Sequence, residues 1–183
     1  TAVSSGVTAI SFWVTRAEIM APEMNGFSLL DSVGESTPRF EEAARVGQAL
    51  NRHPDLFAQP TRPEAAVAIV INEANWAFCQ TLREGGEHLS YSVRGWYRLL
   101  WDAGILVDFL EASELDEPYA GQYRALIVPF PLSMADETAA KLAGYVEAGG
   151  NLICEAAPGR IDEHGYCRRG ELSPALAPLC GVR

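Results

Sequence analysis

Residues 65–71 read Ala-Ala-Val-Ala-Ile-Val-Ile, seven apolar residues without a break, four of them β-branched. A strand that is apolar on both faces is the pattern of a parallel sheet covered on both sides. The surrounding segments fit such a sheet. Ile105-Leu-Val-Asp-Phe-Leu110, Tyr123-Arg-Ala-Leu-Ile-Val-Pro129 and Asn151-Leu-Ile-Cys-Glu155 read as three further strands. A helix is expected from about Ser90 or Ser92 to Ala103, because Val93, Trp96, Tyr97, Leu100 and Trp101 recur at helical spacing and Gly104 ends the run. A second helix is expected over 134–148, capped by Ser133 with Asp136 in the capping-box position and stopped by Gly149-Gly150. Residues 111–122 are too short for a regular crossover helix and leave room for one or two turns. Residues 166–170 read as a turn or short edge strand, and 171–183 as a short terminal helix. The expected fold is α/β, a three-layer, mostly parallel sheet whose ligand sites lie beyond the C-terminal strand ends.

The segment before this pattern is different. Val7-Thr-Ala-Ile-Ser-Phe-Trp-Val14 reads as a strand, and 15–37 as a long loop containing Pro22, Asn25-Gly26 and Val33-Gly34. Thr37-Pro38 starts a helix with Phe40, Ala43, Ala44, Gly47 and Leu50 on one face. One strand and one helix cannot enclose a core of their own. Residues 53–64, with three prolines, read as a linker. The chain therefore divides near residue 60, into 1–60 and 61–183.

Composition narrows the function. The 183 residues are 48% hydrophobic and carry 14 basic against 24 acidic side chains, a formal charge of −10. A long-range attraction to nucleic acid is excluded by that sign. No apolar run reaches membrane-spanning length, and no basic segment precedes an apolar one at the N-terminus, so a cytoplasmic protein is expected. The four cysteines, at 79, 154, 167 and 180, form no C-x-x-C pair. The histidines at 53, 88 and 164 are not spaced with them as a zinc site requires. Neither metal nor cofactor is expected, and Gly85-Gly86 and Gly149-Gly150, each following a helix, match no nucleotide signature.

Several groups could carry chemistry. Cys154 ends a strand where a nucleophile could sit, with His164 the nearest histidine in sequence, but Ile153 and Glu155 flank it where an elbow wants small residues. The alternative is a buried strand cysteine. Glu18 and Glu23 could form a glycosidase pair only if held on facing walls, and Arg16 could bind an anion or sugar hydroxyl, or pair with Glu18. Asn72, Glu73 and Trp76 at the first strand's mouth could contact a ligand or a neighbouring subunit, or cap a helix and fill the core. The stripe of Trp96, Tyr97, Leu100 and Trp101, flanked by Arg94 and Arg98, is either a core face or a subunit interface, since aromatics beside Arg are typical interface anchors.

Three segments match a known family in order: Tyr91-Ser-Val-Arg-Gly-Trp-Tyr-Arg-Leu-Leu-Trp-Asp-Ala-Gly-Ile-Leu-Val-Asp108, then Tyr123-Arg-Ala-Leu-Ile-Val-Pro129, then Leu142-Ala-Gly-Tyr-Val-Glu-Ala-Gly-Gly-Asn-Leu152. With Val67–Ile71 and Trp76, they resemble the trimerisation domain of the family 42 β-galactosidases over roughly 65–165. The resemblance implies a class I glutamine-amidotransferase-like (flavodoxin-like) fold without the amidotransferase nucleophile. It also implies a homotrimeric parent that hydrolyses β-D-galactosides. Residues 6–52 resemble the last strand, active-site loop and helix of the family's (β/α)₈ barrel. Glu23 then matches a glutamate that contacts galactose hydroxyls, with Met24-Asn-Gly26 following where the family often has a histidine; Trp13 and Arg16 resemble aromatic and basic positions of the same stretch. Both catalytic glutamates would lie upstream of Thr1, so the chain itself is expected to be non-catalytic, with Trp76, Trp96, Arg98 and Trp101 as its interface. The rival expectations are a stand-alone enzyme using Cys154, a ligand-binding domain of the same fold, and an intact hydrolase of which this is one segment.

Overall fold

The computed structural model describes residues 7, 9–20, 28–57, 63–116, 119–170 and 172–181. They fall into two compact units, Thr1–Arg62 and Pro63–Arg183.

In the second unit β1 (Val67–Ile71), β2 (Val107–Glu111), β3 (Ala125–Val128) and β4 (Asn151–Cys154) form one parallel sheet in the order β2-β1-β3-β4. The strand order reverses between β1 and β3, as at the switch point of a flavodoxin-like sheet. Alternation along the strands builds two cores. Ala68, Val70, Leu110, Leu126 and Val128 point to one side, where Ala139, Leu142 and Tyr145 of α5 (Asp136–Glu147) close over them. Ile69 and Ile127 point to the other side, with Val67, Ile71 and Val107 packed around them, under Trp96 and Leu100 of α4 (Gly85–Asp102). Between β2 and β3 the chain makes two 3₁₀ turns, Ala112–Glu114 and Ala120–Gln122, and Leu115, Ala120 and Tyr123 join the α5-side core.

Three expectations are corrected in this unit. α4 begins five to seven residues earlier than its apolar period suggests, and α3 (Glu73–Thr81) stands as a separate helix before it. The glycine pair permits the close turn: a Cβ on Gly85 would sit 2.6 Å from the Cys79 carbonyl oxygen, and Glu84 takes φ +62°. Ser133 does not cap α5, whose N-cap is Ala135 without a side-chain bond. Its hydroxyl instead donates to the Asp162 carbonyl and its amide to Asn75 Oδ1, tying three loops together. The terminal helix is replaced by turns over 174–181, with Leu176 buried in the α5-side core.

In the first unit α1 (Pro38–Arg52) forms as expected, its first turn capped by Thr37 Oγ1 accepting from the Phe40 amide, and α2 (Pro54–Phe57) follows. The expected strand over 7–14 is absent from its described residues, which form no ladder; only isolated bridges join Arg16 to Leu30 and Leu30 to Ser36. A β-branched run becomes a strand only when a neighbour takes its backbone hydrogen bonds; among the described residues only the carbonyl of Val14 finds one, from the Leu29 amide at 3.1 Å. Ile10, Phe12 and Trp13 stay exposed, and α1 buries no residue.

Candidate functional site

The strand ends of the second unit are where an α/β sheet would hold a ligand. At the ends of β1, β3 and β4 the protein's own hydrogen bonds tie the loops together. Asn72, the N-cap of α3, accepts the Asn75 amide at 3.2 Å. Asn75 is buried; its Nδ2 donates to the Phe130 carbonyl at 2.9 Å, and its Oδ1 accepts the Ser133 amide at 2.8 Å. From β4's end Glu155 accepts Ser92 Oγ and Trp96 Nε1 at 2.7 Å each on Oε1, and the Phe130 amide at 2.9 Å on Oε2. Phe130 itself is held at φ +38°, with the His88 ring 6.1 Å from its own. A buried amide and a carboxylate with every near partner supplied by the fold are structural staples, because leaving such groups unpaired is costly. The cavity lined by Asn72, Asn75, Trp76, Leu89 and Pro131 is about 10 Å³, room for one water at most. On the Trp76 side, the mouth of β1 thus leaves no room for a ligand; Trp76 packs half-buried beside it.

A wider groove of about 440 Å³ runs past Glu73, Glu111, Glu137 and Lys141. Loss of water raises the Glu111 pKa, and repulsion from Glu73 and Glu114 raises it further. Lys141 already bridges Asp116 and Glu137, each at 3.1 Å. Among the described residues no group of three or more His, Cys, Asp and Glu is placed to hold a metal.

The nucleophile alternative meets two obstacles. Burial, with a smaller push from Cys180, drives the Cys154 thiol up to about 12, so its reactive thiolate is scarce at neutral pH. Among the described residues no hydrogen bond joins it to His164, whose amide donates to Asp162 Oδ1. The left-handed backbone position after the central strand β3, where an elbow would present a nucleophile, carries Phe130.

The aromatic stripe on α4 splits. Val93 and Trp96 are half-buried, and Trp96 and Leu100 face the sheet core. Tyr97 and Trp101 lie on the flank toward β2, stacked at 6.0 Å, and Tyr97 stacks in turn on Phe109 at 5.8 Å. Trp101 is 61% and Phe109 52% exposed. Arg98 lies exposed next to them, paired with Asp102 at 3.4 Å. Trp96 thus serves the core through Glu155, while Trp101 and Arg98 stand at the surface. The sequence places Phe109 in a strand and Glu155 at a strand end, but not the ring stack of the one or the stapling role of the other. Their signal was the odd-numbered phase of β2 and an acid directly after an apolar strand.

In the first unit Trp13 is 75% exposed. Arg16 forms no ion pair with Glu18; its Nε and Nη2 donate to the Ser32 carbonyl at 3.2 and 2.9 Å, closing the loop. Glu23 lies outside the described residues, so its expected pairing with Glu18 and its sugar contact have no geometry here.

The second unit is thus a parallel α/β domain of flavodoxin-like order, with the ends of β1, β3 and β4 stapled and an aromatic surface on one helix. Its residues 65–183 match the family described as the β-galactosidase trimerisation domain, and the chain belongs to that family. The chain is 27% identical over 146 residues to β-galactosidase GanA of Bacillus subtilis, covering 78% of this chain and 21% of that one. It is 26% identical over 184 residues to β-galactosidase BglY of Alicyclobacillus acidocaldarius, covering 99% and 26%. Among solved structures, a catalytic mutant of Gan42B, a GH42 β-galactosidase from G. stearothermophilus, superposes with a TM-score of 0.71 at 27% identity, over 90% of this chain and 24% of that one. The chain spans between a fifth and about a quarter of these relatives. No helix among the described residues is long and apolar enough to cross a membrane.

Proposed function

We propose that residues 61–183 join subunits of a family 42-like β-galactosidase and carry no bond chemistry, and that the joined state is a homotrimer. The observation that carries this reading is the Tyr97–Trp101–Phe109 stack, a solvent-facing aromatic surface on the helix that covers one side of the sheet. Monomeric proteins rarely leave such a patch uncovered, and aromatic residues beside arginine are the usual anchors of an interface. Trp101 and Arg98 are its anchors in this proposal; Trp96 packs in the sheet core under the same helix, and Trp76 lies half-buried at the mouth of β1.

Residues 1–60 are, in the same proposal, the end of a glycosidase barrel plus its linker. The uncovered apolar face of α1 and the exposed Ile10, Phe12 and Trp13 support this, since a barrel would supply the strands and helices they lack. Trp13, Arg16 and Glu23 would then lie toward a galactoside-like sugar in the whole enzyme. A glycosidase needs an acid and a second carboxylate flanking the bond, and both belong to the rest of that barrel. Two measurements test the reading. A sedimentation dilution series should show a species of three protomers that Trp101→Ala disperses. The isolated chain should leave a chromogenic β-galactoside intact; turnover would refute the non-catalytic role.

A further inference from the structure

The two flanks of α4 differ in a way that bears on how copies meet. Arg94, Tyr97 and Trp101 follow at i, i+3 and i+7 and so share the flank over β2, where Tyr97 rests on Phe109. Ser92, Gly95 and Leu99 share the same spacing on the opposite flank. That row faces β4, because Ser92 Oγ bonds Glu155 just beyond it. There Leu99 is 60% exposed. Ile153, paired in register with Ile127 and so directed to the α4 side, is 42% exposed. On the same helix row Gly95 has nothing within 4 Å of where a Cβ would stand. One flank is therefore an aromatic ridge and the other an exposed apolar row, Leu99 and Ile153, notched by the missing side chain at Gly95.

A closed ring of three cannot use one self-complementary patch; each copy must present two different surfaces that fit each other. We infer that the ridge of one copy, led by Trp101, seats in the Gly95–Leu99–Ile153 notch of the next, head to tail. The occupant is a second copy of this chain. The ridge rings with Ile105 and Leu106 leave on the order of 400 Å² open, about half of the roughly 800 Å² each partner gives a standard interface. This geometry rests on the subunit-joining reading above and refines it.

Complementation tests it. Gly95→Trp fills the notch and leaves the ridge; Trp101→Ala with Tyr97→Ala removes the ridge and leaves the notch. Each variant alone should fall from about 60 kDa to about 20 kDa, one 19.9-kDa chain. Their equimolar mixture should recover a pair near 40 kDa, since one intact joint remains between unlike variants. Leu99→Arg replaces Gly95→Trp if circular dichroism shows the latter unfolded. A notch variant that keeps the wild-type mass, or a mixture that stays at about 20 kDa, overturns the ridge-in-notch joint while a 60-kDa wild type leaves subunit joining intact. A wild type at 20 kDa removes the subunit-joining reading and this joint with it.

Discussion

The two faces of the one sheet were built from similar residues and finished differently. On the α5 side Ala68, Val70, Leu126 and Val128 are sealed by Ala139, Leu142 and Tyr145, and Leu176 of the last turns joins them. On the α4 side a single helix covers Ile69 and Ile127, while Phe109 and Ile153, one on each edge strand, remain in solvent. The first face holds the domain together. The second holds together only its central strip, and its margins are apolar surface available to another molecule. Burial on the one side is spent within the chain; exposure on the other is a reason to associate.

The sharpest break of this comparison is in stability. Leu142→Ala on the sealed face should cost about 2–5 kcal/mol in denaturant unfolding, because a fully buried leucine leaves a cavity that its neighbours fill only in part. Next is the staple between the faces. Glu155→Ala strands the Phe130 amide and Trp96 Nε1, at about 1–3 kcal/mol, and should alter the Trp96 fluorescence. The Cys154 thiol gives a pH signature. Its native pKa, near 12, stands above the ordinary 9.0, so above pH 9 the unfolded chain releases a proton that the native state keeps. Stability present below pH 9 should be lost progressively toward pH 12, and Cys154→Ser should flatten that part of the slope. The smallest effect on folding is at the open face: Trp101→Ala should shift the unfolding of dilute, dissociated protein by no more than about 0.5 kcal/mol, yet abolish association. A loss of several kcal/mol there would mean that Trp101 belongs to the core.

Particular residues show what the sequence made legible. Val67–Ile71 announced a central parallel strand because both its faces are buried, and α5 was evident from Ala139, Leu142 and Val146. The eight-residue run over 7–14, rich in β-branched and aromatic residues, misled, since its composition matched a strand for which the described residues form no ladder. The front of α4 was hidden because Gly85-Gly86 reads as a breaker, whereas close packing against Cys79 requires it. The staples were hidden by distance: Asn75 meets Phe130 across 55 residues, and Glu155 meets Trp96 across 59. Local pattern has no access to such pairs. The stripe on α4 was visible, but only the fold divides it into Trp96, which faces inward, and Trp101, which does not. Arg16 fared likewise, its Ser32 contact being invisible to spacing.

The family match accords with this division, since a domain that joins subunits needs one closed core and one open face. The central claim is that the open α4 face exists to meet another copy. Light scattering on the intact 183-residue chain tests it most directly. The account predicts a mass of about 60 kDa, three chains of 19.9 kDa; a mass of about 20 kDa held at every concentration would contradict it.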